Sequence, residues 1–193
     1  RTAKGVTGYD LVAGFVGSEG TFGVITELTV KLLPKPPAVA TVLAVFADVG
    51  VAGLCIEQIL RDGVRPRVLE IADRASIEHV RGRSRYRFPD NAGAIVLLEL
   101  DGDAEGLEGA VERLGLRCDE LGAIDVLVAH DPAERRNLWD ARRQISPALK
   151  AGYRIKVNED VCVPRGRITE MLARIDRLRV DCKLDIAVFG HAG

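Results

Sequence analysis

The hydrophobic positions change period several times along the chain, and each change marks an element. From 24 to 33 the alternation is strict: Val24, Thr26, Leu28, Val30 and Leu32 fall on one face, Ile25, Glu27, Thr29 and Lys31 on the other. That two-residue repeat predicts a strand. Pro34-Lys35-Pro36-Pro37 ends it, because proline fixes its own φ and restricts the residue before it. The prolines read as an extended linker, and a domain boundary is placed there, with residues 1–36 on one side and 37–193 on the other. Beyond it, apolar β-rich runs at 40–47, 67–71, 94–100 and 124–129 alternate with helical spacing. Val51, Leu54, Cys55, Gln58 and Ile59 mark a helix over 49–61 that Gly63 stops. Asp73 caps another that runs to about Gly82, and a third covers 104–114. Pro132 opens a long helix to about Leu149, with Pro147 near its end. Alternation returns over 153–163, Pro164 and Arg165 open a helix to about Arg177, and 184–189 is the last strand.

Taken in order, residues 40–129 read β-α-β-(α)-β-α-β. Two β-α-β units of this kind build an antiparallel sheet with helices packed on one face, a ferredoxin-like α+β arrangement. A chain of 193 residues that is 47% hydrophobic can bury such a core and suits one domain, or one domain plus part of another.

Charge removes several partners. With 27 basic and 28 acidic residues the net charge is −1, so no global field draws nucleic acid or an anionic membrane. The basic stretch Arg81-Gly82-Arg83-Ser84-Arg85-Tyr86-Arg87 reads as a solvated loop. No apolar run approaches the roughly 20 residues of a membrane span, and the amino terminus lacks a charged-then-apolar signal pattern. It opens on Arg1-Thr2-Ala3-Lys4-Gly5, as a piece of a longer chain would. Cys55, Cys118, Cys162 and Cys182 have no zinc or redox spacing and read as ordinary thiols of a reducing cytoplasm.

Two stretches carry candidate chemistry. In Gly17-Ser18-Glu19-Gly20-Thr21-Phe22-Gly23, three glycines at three-residue spacing let the backbone turn tightly and approach a ligand. The loop can offer its amides to a phosphate or a ring edge. A strand pattern follows it, whereas the dinucleotide fingerprint and the P-loop both open a helix, so it belongs to neither. In Leu138-Trp139-Asp140-Ala141-Arg142-Arg143-Gln144-Ile145-Ser146-Pro147, helical geometry puts Arg142 and Ser146 four apart on one broad face. An arginine fork beside a hydroxyl suits a carboxylate; the alternative is a surface arginine paired with Asp140 or a neighbour.

Lys4-Gly5-Val6-Thr7-Gly8-Tyr9-Asp10-Leu11, then Val16 through Glu27, resembles the end of the FAD-binding domain in FAD-linked oxidases of the vanillyl-alcohol-oxidase superfold. Within that superfold the nearest resemblance is to the group of glycolate oxidase, D-lactate dehydrogenase and D-2-hydroxyglutarate dehydrogenase. The resemblance implies that Gly17, Ser18, Gly20, Thr21, Gly23, Val24 and Ile25 form one wall of an FAD site. It also implies that residues 37–193 are the cap domain over the substrate side, truncated at its carboxyl end. Trp139, Arg142 and Pro147 look like the family helix that grips the carboxylate of a 2-hydroxy acid, with Ser146 at a position that carries threonine in the hydroxyglutarate enzymes. Some members place a lysine against the substrate on the next strand. Counting from Tyr153 gives Lys156, counting back from Pro164 gives Asn158, and both remain candidates.

Val188-Phe189-Gly190-His191-Ala192-Gly193 is similar to a family sequence whose histidines bind a divalent metal, zinc or manganese. His191 is the matching residue, the second histidine is absent from the chain, and the catalytic base is expected beyond Gly193. The expected function is therefore part of an FAD-dependent enzyme passing hydride from a D-2-hydroxy acid to flavin, inactive as an isolated piece. The electron acceptor is open, as is the choice between a homodimer and partner subunits. The competing reading is a non-enzymatic ferredoxin-like ligand-binding module.

Overall fold

The computed structural model describes residues 6–193. Lys4 and Gly5 of the resemblance lie outside the described residues. The chain divides into two compact units, residues 1–35 and 36–193.

In the first unit, Asp10 caps a short helix α1 (Leu11–Phe15) by accepting from the Ala13 amide. The glycine loop follows as a series of tight turns. Gly17, Gly20 and Gly23 all have positive φ, as does Glu19. Thr21 closes the turn, its amide and hydroxyl both donating to the Ser18 carbonyl at 3.0 and 2.7 Å. Residues 24–33, expected as a strand, form none: they are exposed and unpaired among the described residues. Alternation sets which way side chains point, but a strand also needs a neighbour for its ladder, and the described chain supplies none.

The second unit is an antiparallel α+β fold, as expected. Its strands are β1 (Ala38–Phe46), β2 (Val68–Asp73), β3 (Ala94–Gly102), β4 (Ala123–Ala129) and β5 (Phe189–His191), in the order β4-β1-β3-β2-β5. All four pairings are antiparallel, and the first four strands stand in the ferredoxin-like order. The expected layer of helices covers one face. There α2 (Val49–Arg61), α4 (Ala104–Glu120) and α7 (Ile168–Cys182) bury Ile56, Ile59, Val111, Leu114 and Leu172 against Val42, Ala44, Val96 and Leu98. A second layer covers the other face. There α3 (Arg74–Val80), α5 (Pro132–Arg143) and α6 (Ile145–Gly152) pack Ile77, Leu138, Ile145 and Leu149 on Leu43, Val45, Ile95 and Leu97. The central strands are thus buried on both sides, which is why β1 and β3 read as continuous apolar runs.

Three expectations fail for local reasons. The helix expected over 132–149 breaks at Gln144 into α5 and α6. Pro147 has no N–H to give the Arg143 carbonyl and its ring crowds that carbonyl, so the break falls a turn upstream of the proline. Residues 153–163, expected as a strand, run as irregular, largely exposed chain with no ladder partner among the described residues. The last strand is shorter and later than 184–189, because β5 pairs only where it meets β2, at Phe189, Gly190 and His191.

Cys55 and Cys118 face each other in the core between α2 and α4, and hydrogen bonding to Cys118 together with burial pushes the Cys55 thiol up. Cys162 and Cys182 are exposed. The basic loop is tied down: Arg81 donates to the Phe88 carbonyl at 2.8 Å, Arg85 to Asn137 at 3.2 Å and Tyr86 to Asp125 at 2.5 Å. Burial, then the bond to Asp125, pushes the Tyr86 hydroxyl above its ordinary range.

Candidate functional site

α5 lies on the sheet face that carries Leu43, Leu97 and Ala72, and its inward positions are polar as well as apolar. Asp131 caps the helix and Pro132 begins it, which fixes its phase. Arg135, Trp139 and Arg142 then recur at i, i+4 and i+7, so all three project towards the sheet. Two strand carboxylates meet them. Glu99 of β3 accepts from Trp139 Nε1 at 2.7 Å, Thr41 Oγ1 at 2.8 Å and Arg135 Nη2 at 3.2 Å, all on Oε1. Burial pushes the Glu99 carboxyl up, but the bonds from Trp139, Thr41 and Arg135 outweigh it and hold its pKa below the ordinary value. Glu70 of β2 accepts from Arg142 Nε at 2.7 Å on Oε2.

Register brings the last strand to the same place. Glu70 stands opposite His191 and Ala72 opposite Phe189, so both β5 side chains share the α5 face. His191 Nδ1 contacts Glu70 Oε1. The Arg142 guanidinium lies over the Phe189 ring, 4.8 Å from its centroid. Lys156 approaches the same ring at 5.8 Å, and its Nζ donates to Ser146 Oγ at 3.2 Å.

Four of the sequence-derived candidates, Arg142, Ser146, Lys156 and His191, therefore gather around Phe189 and Glu70. Asn158 is exposed further along the irregular segment and has no contact with the cluster among the described residues. Arg143 turns outward over Trp139, at 5.4 Å. Glu70 and Glu99 escaped the sequence reading. Their signal was a carboxylate in the middle of an apolar strand, in Val68-Leu69-Glu70-Ile71-Ala72 and Leu97-Leu98-Glu99-Leu100.

The cluster offers a cationic, partly buried patch over an aromatic floor. The Arg142 side chain is 17% exposed and Glu70 4%, while His191 is 86% exposed. With Nε held by Glu70, the terminal nitrogens of Arg142 have no partner among the described residues, and a carboxylate can take them in a fork. A groove of about 580 Å³ along α4, lined by Leu100, Leu107, Leu114 and Arg117, lies on the opposite face of the sheet and shares no residue with the cluster.

A metal fits less well. Among the described residues no group of three His, Cys, Asp or Glu could hold an ion, and the one carboxylate beside His191 already pairs with Arg142. No step is derived through a metal. The loop of the first unit suits a flavin better. Gly17 and Gly20 have positive φ and open space where a side chain would stand, so the backbone is bare at those two positions. Ser18 is half-buried and Thr21, Gly23, Val24 and Ile25 are exposed.

Residues 35–193 match the family described as FAD linked oxidases, C-terminal domain. The whole chain is 35% identical to "Glycolate oxidase subunit GlcD" of Bacillus subtilis, over 41% of that protein. It is 39% identical to the protein of the same name from Escherichia coli, over 96% of this chain and 37% of that one. It is 32% identical to "D-lactate dehydrogenase" of Anaerostipes hadrus, over 99% of this chain and 42% of that one. The chain thus spans about two-fifths of the length of these relatives. Among solved structures, "alkyldihydroxyacetonephosphate synthase in P1" superposes with a TM-score of 0.54 over 75% of this chain and 30% of that one, at 18% identity, which shows a shared fold. No helix among the described residues is long and apolar enough to cross a membrane.

Proposed function

Because the chain belongs to the family of FAD linked oxidases, through their C-terminal domain, we propose that it is the substrate-binding part of a flavoenzyme oxidising a D-2-hydroxy acid of the glycolate or D-lactate kind. The observation that carries the reading is Arg142, held through Nε by Glu70, with its other nitrogens unpartnered among the described residues and Lys156 and Ser146 nearby. Arg142 takes the substrate carboxylate in a fork, and Lys156 adds a second positive charge. Ser146 positions the lysine. Phe189 fixes the plane of the guanidinium and gives the substrate's small carbon chain an apolar floor. The bare loop at Gly17, Gly20 and Gly23 holds one side of FAD through backbone amides. FAD, when bound, would supply the acceptor for the C2 hydride of the substrate. D-2-hydroxyglutarate is a third candidate substrate, its distal carboxylate suited to a further cation. The subunit wording in two relatives' names supports a protein that works with partner subunits, and free exposed Cys162 and Cys182 support a reducing, cytoplasmic setting.

The test is steady-state dye reduction by the full-length flavoenzyme with glycolate, D-lactate and D-2-hydroxyglutarate. Arg142→Lys should lower kcat/KM by roughly 10- to 100-fold, the loss of one charged hydrogen bond, while Arg143→Lys stays close to wild type. The reverse ranking would refute the assignment.

A further inference from the structure

We infer that Glu70 is a positioning residue: one buried carboxylate aims both the arginine that grips the substrate and the exposed histidine beside it. The inference rests on the hydroxy-acid reading above and adds a residue to it. Glu70 is 3% exposed in the middle of β2, where an apolar side chain would serve the core at least as well, since burying an ion pair costs desolvation. What the carboxylate supplies is direction, and it supplies it twice.

Oε2 takes the Nε–H of Arg142. That leaves the end of the guanidinium formed by its two terminal nitrogens as the edge offered to a ligand, with the Phe189 face fixing its plane. Oε1 takes Nδ1 of His191. A neutral imidazole that donates from Nδ1 carries its lone pair on Nε2, so the exposed side of the ring is an acceptor. The two groups rest on opposite oxygens of one carboxylate, which sets a short, fixed separation between a carboxylate-binding fork and a hydrogen-bond acceptor. A 2-hydroxy acid has that arrangement in complement, carboxylate and hydroxyl donor on adjacent carbons. In this geometry the substrate hydroxyl donates to His191 Nε2 while Arg142 holds the carboxylate. Register makes the device: Glu70 and His191 are direct cross-strand partners, and Arg142 reaches the same carboxylate from α5.

The first experiment reads the His191 tautomer in the 193-residue chain, using isotope-labelled histidine and long-range proton–nitrogen correlation, in which the two ring-nitrogen shifts report which nitrogen carries the proton. Wild type should carry the proton on Nδ1. In Glu70→Gln the amide oxygen stays on the charged arginine and the amide nitrogen faces Nδ1, so the proton should move to Nε2. Glu70→Asp, which keeps the charge, should restore the Nδ1–H form. The second experiment is kinetic, in the full-length flavoenzyme. Glu70→Gln should raise KM for the hydroxy acid about tenfold or more with a smaller change in kcat, and Glu70→Asp should recover part of it. A wild-type His191 protonated on Nε2, a tautomer indifferent to Glu70→Gln, or an unchanged KM would each overturn the inference. If Glu70→Gln fails to fold, the wild-type tautomer and the aspartate variant decide it. An enzyme that oxidises no 2-hydroxy acid would remove the functional reading, and the tautomer would still decide the positioning.

Discussion

Replacing Glu99 by alanine and by glutamine separates two contributions that the structure places on one side chain. The carboxylate is 4% exposed, and its Oε1 alone receives Trp139, Thr41 and Arg135. Alanine removes the acceptor and leaves the Arg135 charge, with 25% of its side chain exposed, without its partner. Breaking a buried pair from one side costs about 3–5 kcal/mol. Glutamine can put its amide oxygen where Oε1 stands and keep all three donors. Its nitrogen then faces Arg67, whose Nε is 3.6 Å from Oε2 and whose side chain is 41% exposed, free to turn to water. Only charge assistance is lost, about 1–2 kcal/mol. The assay is urea unfolding followed by the fluorescence of Trp139, the single tryptophan and a member of the network. In a heat scan the alanine loss corresponds to roughly 10 °C. The sign with pH follows from the lowered carboxyl pKa. The contribution of the charge is complete above the unfolded value of about 4.3 and is lost as pH falls through the folded one. The gap between wild type and Glu99→Gln should therefore narrow in acid. Equal damage from alanine and glutamine would refute the acceptor geometry, and an alanine loss under about 1 kcal/mol would refute the network altogether.

Other outcomes follow from single positions. A Cβ on Gly93 would lie 1.9 Å from the Ala47 carbonyl oxygen, so Gly93→Ala should cost about 3 kcal/mol or more in urea unfolding. Gly106, in α4 with open space around it, should gain about 0.5–1 kcal/mol as alanine. Amide exchange should be fast across residues 24–32 and slow at Ile95–Leu98; equal protection would mean that the first segment has a ladder partner. Mixed with excess FAD and desalted, the chain should return colourless, since one glycine loop encloses little of a dinucleotide. Stoichiometric yellow protein would refute that.

The parts of the fold that were legible in the sequence are those whose signal is local, a period or a cap within one element. β1, α2, β2, β3, α4 and β4 were visible because strand and helix periods alternate within residues 40–129, and Asp73 caps its helix as its type suggests. Residues 24–33 and 153–163 carry the same alternation and form no strand, because side-chain direction is local while a ladder is not. The break at Gln144 was obscured because Pro147 acts on a carbonyl four residues back. In the candidate site, Arg142, Ser146 and Lys156 lie within fifteen residues of one another and were found together. Glu70 and Glu99 were missed because what gives a carboxylate in an apolar strand its meaning is a helix arriving more than thirty residues later in the chain.

β5 is three residues long, yet it stands between β2 and solvent. Without it, β2 would present the free hydrogen-bonding edge of an apolar strand, Val68-Leu69-Glu70-Ile71-Ala72, to any other chain. Asp73 secures the approach: its amide donates to the Val188 carbonyl, and its carboxylate accepts from the Val188 amide and from Arg179. The Ala192 amide closes the far end on the Leu69 carbonyl at 2.8 Å. The strand that carries His191 into the site is therefore also the guard against edge-to-edge aggregation. Substitutions that loosen residues 188–192 should surface as insolubility in a cell before they can be measured as lost binding, so screens that recover only soluble variants will under-sample this strand.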